Sequence, residues 1–467
     1  MMRRDGRNRR AYRPGVEAAE PRLLLSLGGV ATGALGPNGF LNNPPGFKAV
    51  RPNTPVVPFG AAVATATFID TSARLLNGNH IVLAQKSYVG PYATINATSG
   101  FVKIGANSAV LDNATVIANP DNVKLYPPSV RIGNFVQIAQ GATILGGSTI
   151  GTFGAATRAT GVGANAVIDG ATIQVGAVVG PLARVGRGVT VPTGFYVLPG
   201  ANVMTDAEAS NPALGKVTPL PASVLNDVAT SLTRDAQLAS GYTSLYQGNS
   251  ATGVNPGVDP SVSGVNNGNL AAVSGVSAEP GPATTTAATG ITFEPRAATP
   301  SFPGPYRPAV AVQLPDFKAR VVGDTRFAAR AHTVARDLGR SNSFRADQGQ
   351  PLTFASAPTT GRGVSIYSPL GGTVTTNGTT RTVGSVTVGK NFLAESGAVI
   401  LGGPGATYPI GDDVTVGARS VVERSTLNAG AVIGARSYVL NSALAAGQVI
   451  PPGTIYINNA VAGTVRW

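Results

Sequence analysis

Branched aliphatic residues recur every six positions along much of this chain. Ile132, Ile138, Ile144 and Ile150 keep the interval, and Val162 continues the frame across Ala156. After one five-residue step, Val167, Ile173, Val179, Val185, Val191, Val197 and Val203 form a second unbroken ladder. Ile104, Val110 and Val116 hold the interval upstream, and Ile410, Val416 and Val422, then Leu427, Ile433 and Val439, restore it near the C-terminus. Glycine follows many of them, as at Gly105, Gly133, Gly151, Gly180, Gly411 and Gly434. A period of six matches neither a 3.6-residue helix nor long strand alternation. It matches an all-β parallel β-helix, with each aliphatic pointing into a narrow interior and each glycine easing a corner. One coil cannot bury its own apolar side, so such a solenoid requires several stacked coils.

The two arrays divide the chain. The first β-helix is expected over 51–221 and the second over 304–467, in tandem. Between them, Leu225, Val228, Leu232, Leu238, Tyr242 and Leu245 are spaced mostly three or four apart. That spacing predicts an amphipathic α-helix over 222–246, lying on the first solenoid. Residues 247–303 are rich in Gly, Ser, Thr, Asn and Pro and read as a linker.

Composition narrows the chemistry. The 467 residues include 60 Gly and 35 Pro but only 12% charged residues, 2 His and no Cys. Without Cys there is no disulfide framework, thiolate zinc site or cysteine nucleophile. The net charge of +13 is unevenly placed. Arg3, Arg4, Arg7, Arg9, Arg10 and Arg13 crowd the start, while Lys318 to Arg345 interleave with Asp316, Asp324, Asp337 and Asp347. Neither group alternates with aromatic stacking platforms, so no nucleic-acid partner is expected.

Residues 1–50 read as a leader. The Arg-rich segment precedes the apolar run Leu23–Gly36, an order found in secretory signals and too short to span a bilayer. Glu20-Pro21-Arg22-Leu23-Leu24-Leu25-Ser26 also resembles the LExRxLLS leader type of large exported bacterial proteins. An extracytoplasmic or secreted location is the expectation; the alternative is a basic tail on a cytoplasmic protein.

Several segments together resemble the left-handed β-helix of γ-class carbonic anhydrases, within the hexapeptide-repeat superfamily. Tyr88-Val89-Gly90-Pro91-Tyr92-Ala93, Ile104-Gly105-Ala106-Asn107-Ser108 and Ile132-Gly133-Asn134 carry the likeness in the first unit. Tyr196–Val203 is similar to the γ-carbonic-anhydrase-like domain of carboxysome scaffold proteins. In the second unit, Arg345-Ala346-Asp347-Gln348-Gly349 resembles the family's RADEG segment, and Ile450-Pro451-Pro452-Gly453 follows in order. The resemblance implies a homotrimer holding zinc by three His, two from one subunit and one from its neighbour. Carried over, those positions fall on Ala118, Gln140 and Leu145, and on Tyr367, Ser396 and Leu401. None is His, so no metal, cofactor or zinc-dependent catalysis is expected. Asn96 and Thr98 stand at the Arg and Asp of RADEG in the first unit, while Asp112 keeps the Asp of the QD pair and Leu111 replaces its Gln. Arg345 and Asp347 survive, which the resemblance reads as an intersubunit assembly feature; a local pair at a solenoid corner is the alternative.

The expectation is thus a non-catalytic, exported pseudoenzyme that self-assembles and serves as a scaffold or binding module, with no catalytic residue and with other cell-surface or scaffold proteins as further partners. Two alternatives stand beside it. The first is a diverged carbonic anhydrase or hexapeptide-repeat acyltransferase, for which His80 and His332 would be the base candidates. The second is polysaccharide binding on flat solenoid faces, with few aromatics besides the terminal Trp467.

Overall fold

The computed structural model describes residues within 67–247 and 339–467, plus isolated strands at 47–50, 54–56, 312–313, 319–323 and 325–327. Positions 71, 78–79, 119–128, 157, 347–351, 357, 369–372, 377–378, 383–384 and 404–406 lie outside the described set. So do positions 1–46 of the leader, nearly all of the linker, and His332.

Short strands joined by tight corners stack in register into two left-handed parallel β-helices. Each coil of the first unit runs through three faces. Face A contains Thr94–Asn96, Thr115–Ile117, Thr143–Leu145, Val167–Asp169, Arg184–Val185 and Asn202–Val203. Face B contains Phe101–Ile104, Ser129–Ile132, Thr149–Ile150, Thr172–Ile173 and Thr190–Val191. Face C contains Tyr88–Val89, Ala109–Val110, Val136–Ile138, Thr160–Val162, Val178–Val179 and Phe195–Val197. The second unit repeats this order. Its face A′ runs from Val312–Gln313 and Ala319–Gly323 through Asn342–Ala346, its face B′ from Thr325–Phe327 through Leu352–Phe354, and its face C′ from Thr359–Thr360.

The six-residue period is therefore one face, and three faces close a coil. Ile132, Ile138, Ile144 and Ile150 step through B, C, A and B. On face A, Ile95, Val116, Ile144, Ile168, Val185 and Val203 align directly above one another. All are buried in one continuous core, and Phe344, Ile366, Ile400, Val422 and Val439 form the matching column in the second unit.

Corners explain the glycines only in part. Along the C-to-A corner, the second corner residue has positive φ at Tyr92, Asn113, Gly141, Asn165, Leu182 and Gly200. The equivalent corner of the second unit uses Ser341, Gly363, Gly397, Arg419, Arg436 and Gly453. Glycine and asparagine tolerate this left-handed region; Leu and Arg occupy it at a conformational cost. Coil-to-coil hydrogen bonds hold each column, for example Gly141 N–H to Asp112 O at 3.0 Å and Arg419 N–H to Ser396 O at 2.9 Å.

Helix α1 (Asp206–Ser210) follows the last coil of the first unit, with Thr205 accepting at its N-cap from Glu208 N–H. Helix α2 (Ala222–Gln247) lies on the outer side of face C. Its Leu225, Val228, Ala229, Leu232 and Ala239 pack on Phe68, Tyr88, Ala109, Leu111 and Ala159. Among the described residues, no helix is long and apolar enough to cross a membrane.

Because Ile144 has neighbours in the coils above and below, truncation leaves a void that two coils must share. Ile144→Ala is expected to lower stability by about 3 kcal/mol in urea titration, whereas the outward Thr172→Ala changes it by less than about 0.5 kcal/mol.

Candidate functional site

The two units meet through unlike surfaces. Face A′ of the second unit turns its outward side chains onto the C-to-A corner of the first. Outward Ser343, Arg345, Ser365, Val399, Val421, Tyr438 and Ile455 are all buried. Val399, Val421, Tyr438 and Ile455 share an apolar cluster with Ala164 and Leu182, bordered by Ala139 and Leu401.

A buried ion pair lies within this junction. Arg345 Nη1 is 2.8 Å from Asp112 Oδ1, with side-chain exposures of 1% and 2%. Ser343 Oγ donates to Asp112 Oδ2 at 2.5 Å, and the guanidinium lies over the rings of Tyr367 and Tyr88 at 4.8 and 5.3 Å. The carboxylate needs Gly90 beneath it: a Cβ there would lie 2.6 Å from Asp112 Oδ1. Asp347, the expected partner of Arg345, lies outside the described residues. The described partner comes from the other unit, 233 positions earlier.

Further ties flank this pair. Asn113 Nδ2 donates to Ser365 Oγ at 2.9 Å, and Asn165 Nδ2 donates to the carbonyls of Gly397 and Arg419 at 3.0 and 3.1 Å. Trp467 Nε1 donates to Leu182 O at 2.5 Å. On the α2 side, Arg424 bridges Asp227 of the helix and Glu423, each at 2.9 Å. Glu423 also accepts from Tyr438 Oη at 3.0 Å. Burial, reinforced by Glu423, pushes the Tyr438 phenol well above its usual value, and burial with the same carboxylate raises Tyr196.

The positions carried over from the γ-class resemblance distribute unevenly. Tyr367 and Leu401 lie in register on face A′, opposite the first unit. Gln140 is buried in the C-to-A corner, where Gly141 N–H bonds Asp112 O. Tyr367 and Leu401 thus face the junction from the second unit, and Gln140 lies on the corner that borders it. Leu145 lies on half-buried face A of the first unit, and Ser396 is an exposed corner residue accepting from Arg362 N–H through its Oγ. Ala118 turns inward and belongs to the core. Ile117 instead pairs with Asn96 and Leu145 as Tyr367 pairs with Arg345 and Leu401, so Ile117 is the register equivalent.

These residues do not fit a zinc ion. The junction around Leu401 and Ala139 is apolar, and the polar groups nearby are a guanidinium, the one carboxylate paired with it, amides, hydroxyls and phenols. Among the described residues, no group of three or more His, Asp or Glu side chains could hold a metal. His80 is a corner residue: its Nδ1 is bonded to Asn77 Nδ2 at 2.7 Å and its ring packs on Phe101 at 4.4 Å. Glu395 accepts from Ala418 N–H at 2.8 Å. Asn96 Oδ1 accepts from both Thr98 N–H and Thr98 Oγ1, closing a local turn. Sequence reading missed that Arg345 and Asp112 belong to one interaction, because 233 residues separate them and the register of two separate units decides their meeting.

No family model matches the chain, and no curated protein matches its sequence. Among solved structures, a hexapeptide transferase family protein from Anaplasma phagocytophilum is 14% identical, with a TM-score of 0.20. It aligns over 41% of this chain and 98% of its own. A candidate acetyltransferase from Bacillus cereus is 17% identical with the same TM-score, over 40% of this chain and 96% of its own. At such scores neither bears on activity, and the fold rests on the strand ladders themselves.

Removing one member of a buried ion pair strands the other charge. Arg345→Met and Asp112→Leu are each expected to cost about 3–5 kcal/mol, and the double variant less than their sum, in a denaturation double-mutant cycle. Tyr438 gives a separate alkaline signature. Its folded form holds the proton above the ordinary value of 10, so the unfolded chain ionises first. Stability should hold up to about pH 9 and fall as pH rises beyond about 10, and Tyr438→Phe should flatten that fall.

Proposed function

We propose that this protein is a non-catalytic, exported β-helix module that acts as a scaffold or binding surface and assembles with further copies. The observation that carries the reading is the filling of the junction. Tyr367 packs on the Arg345 guanidinium and Leu401 borders the apolar cluster, and the space is filled by an Arg345–Asp112 pair and apolar packing. Such a set stabilises contact between units: its carboxylate is engaged by Arg345 and Ser343, and the described residues bring no group of three metal-binding side chains to it.

Assembly draws support from the outer faces. Face A′ is covered by the first unit, but face A, at the same place in the coil order, keeps Thr115, Ile117, Thr143, Leu145 and Val167 only half-buried. Faces of stacked strands with neutral side chains suit protein or polymer contact better than chemistry. Export rests on the leader-like sequence alone.

Protein purified without chelator is expected to hold no stoichiometric zinc and to leave CO2 hydration at the uncatalysed rate. Zinc at one per chain together with hydration activity would overturn the reading. Light scattering on leader-free protein should give at least twice the mass of one leader-free chain, and a strictly monomeric mass would sink the assembly part.

A further inference from the structure

The junction between the two units is fastened differently along its length. On face A′, Ser343, Ser365, Val399, Val421, Tyr438 and Ile455 form one outward column, in register from coil to coil. The early rungs are polar: Ser343 is tied to Asp112, and Ser365 accepts from Asn113 Nδ2 at 2.9 Å. Arg345 and Asp112 lie beside them, and parting these two would strand a pair of buried charges. The late rungs are mainly apolar, with Val399, Val421, Tyr438 and Ile455 packed on Ala164 and Leu182 of the first unit. Arg424 reaches Asp227 of α2 on this side, but that carboxylate is 54% exposed and the pair is solvated.

At the late end the segment Val465–Trp467 crosses the seam. Val465 N–H bonds Gly453 O of the second unit at 2.7 Å, and Arg466 N–H bonds Gly200 O of the first at 3.0 Å. Trp467 Nε1 then reaches Leu182 O, in the coil before Gly200, at 2.5 Å. Arg436 of the second unit lies over the indole at 4.7 Å, so the ring is held between the two units. Val465 also borders the apolar cluster of the late rungs. Gly200 leaves room for the crossing: a Cβ there would stand 3.0 Å from Val465 Cα and 2.9 Å from Ile455 Cδ1.

The two ends differ in what replaces their contacts on separation. Arg466 is exposed and Trp467 half-buried, so water can take over the hydrogen bonds of the crossing segment once it lifts. Asp112 and Arg345 have no such replacement until the whole early end is open.

We infer that Val465–Trp467 is a releasable strap. When it lifts, the late rungs of the junction part, the Arg345–Asp112 end stays closed as the hinge, and both solenoids remain folded. Local openings are drawn from the least costly contacts of a structure, and the core columns of the two solenoids lie at the opposite extreme. The device goes beyond the scaffold reading and does not depend on it.

Neighbouring residues of one strand supply the test. Val421 points outward into the junction cluster and Val422 inward to the core of the second solenoid, with exposures of 0% and 1%. The chain has no Cys, so Val421→Cys or Val422→Cys introduces a single thiol. Its rate of alkylation by N-ethylmaleimide under native conditions, followed by mass spectrometry, measures how often that side opens. Adding Trp467→Ala should raise the rate at Val421→Cys by about ten-fold or more and leave Val422→Cys within about two-fold. Ser365→Cys, on the early rungs, should also stay within about two-fold. Equal acceleration at Val421→Cys and Val422→Cys would make the segment one more contribution to global stability and overturn the inference. Equal acceleration at Val421→Cys and Ser365→Cys would mean that the units part as a whole, and no acceleration at Val421→Cys that nothing is strapped; either overturns it too.

Discussion

The interior of each coil admits one aliphatic side chain per face, and that restriction governs most of the molecule. Ile95, Val116, Ile144, Ile168, Val185 and Val203 share one column because a parallel stack repeats its register without slip. A shift of one residue would expose the whole column and bury Thr115 and Thr143 instead. With the interior fixed, outward positions are released from packing within their own unit. Their chemistry is then free to specify what each face meets: α2 on face C, the first unit on face A′, and solvent on much of face A.

The solenoid was legible in the sequence because its signal is local and repeated. Ile132, Ile138, Ile144 and Ile150 are enough to suggest short faces, and Leu225 to Leu245 suggest a helix by spacing alone. The junction was much less legible. Asp112 could be assigned to a family-like position, and so could Arg345, but nothing in either segment says that one unit's Arg reaches the other unit's Asp. Ala118 shows a finer limit. Sequence alignment can slip by one residue at a corner, and in a strand one residue reverses the direction of the side chain; Ile117 is therefore outward and Ala118 is in the core.

Apolar burial and electrostatics have separate tasks at the junction. Val399, Val421, Tyr438 and Ile455 against Ala164 and Leu182 provide contact that is tolerant of small shifts. The Arg345–Asp112 pair is intolerant, since a buried guanidinium displaced from its carboxylate loses both its partner and its solvent. Tyr88, Tyr367, Ser343 and Gly90 all shape that one position, the last by leaving space. The pair thus fixes the height at which one solenoid stands against the other.

It also makes the docking one-way. At the corner position where the first unit has Asp112, the second has Arg362; where the second has Arg345 on face A′, the first has Asn96 on face A. The observed contact sets Arg345 against Asp112. The reverse contact, face A against the second unit's corner, would set Asn96 against Arg362 and give that guanidinium no carboxylate in return. Two units built on one repeat would otherwise be able to pair in either order, and specificity between such alternatives comes from penalising one as much as from favouring the other. Divergence of two positions, Asp112 from Arg362 and Arg345 from Asn96, supplies both terms.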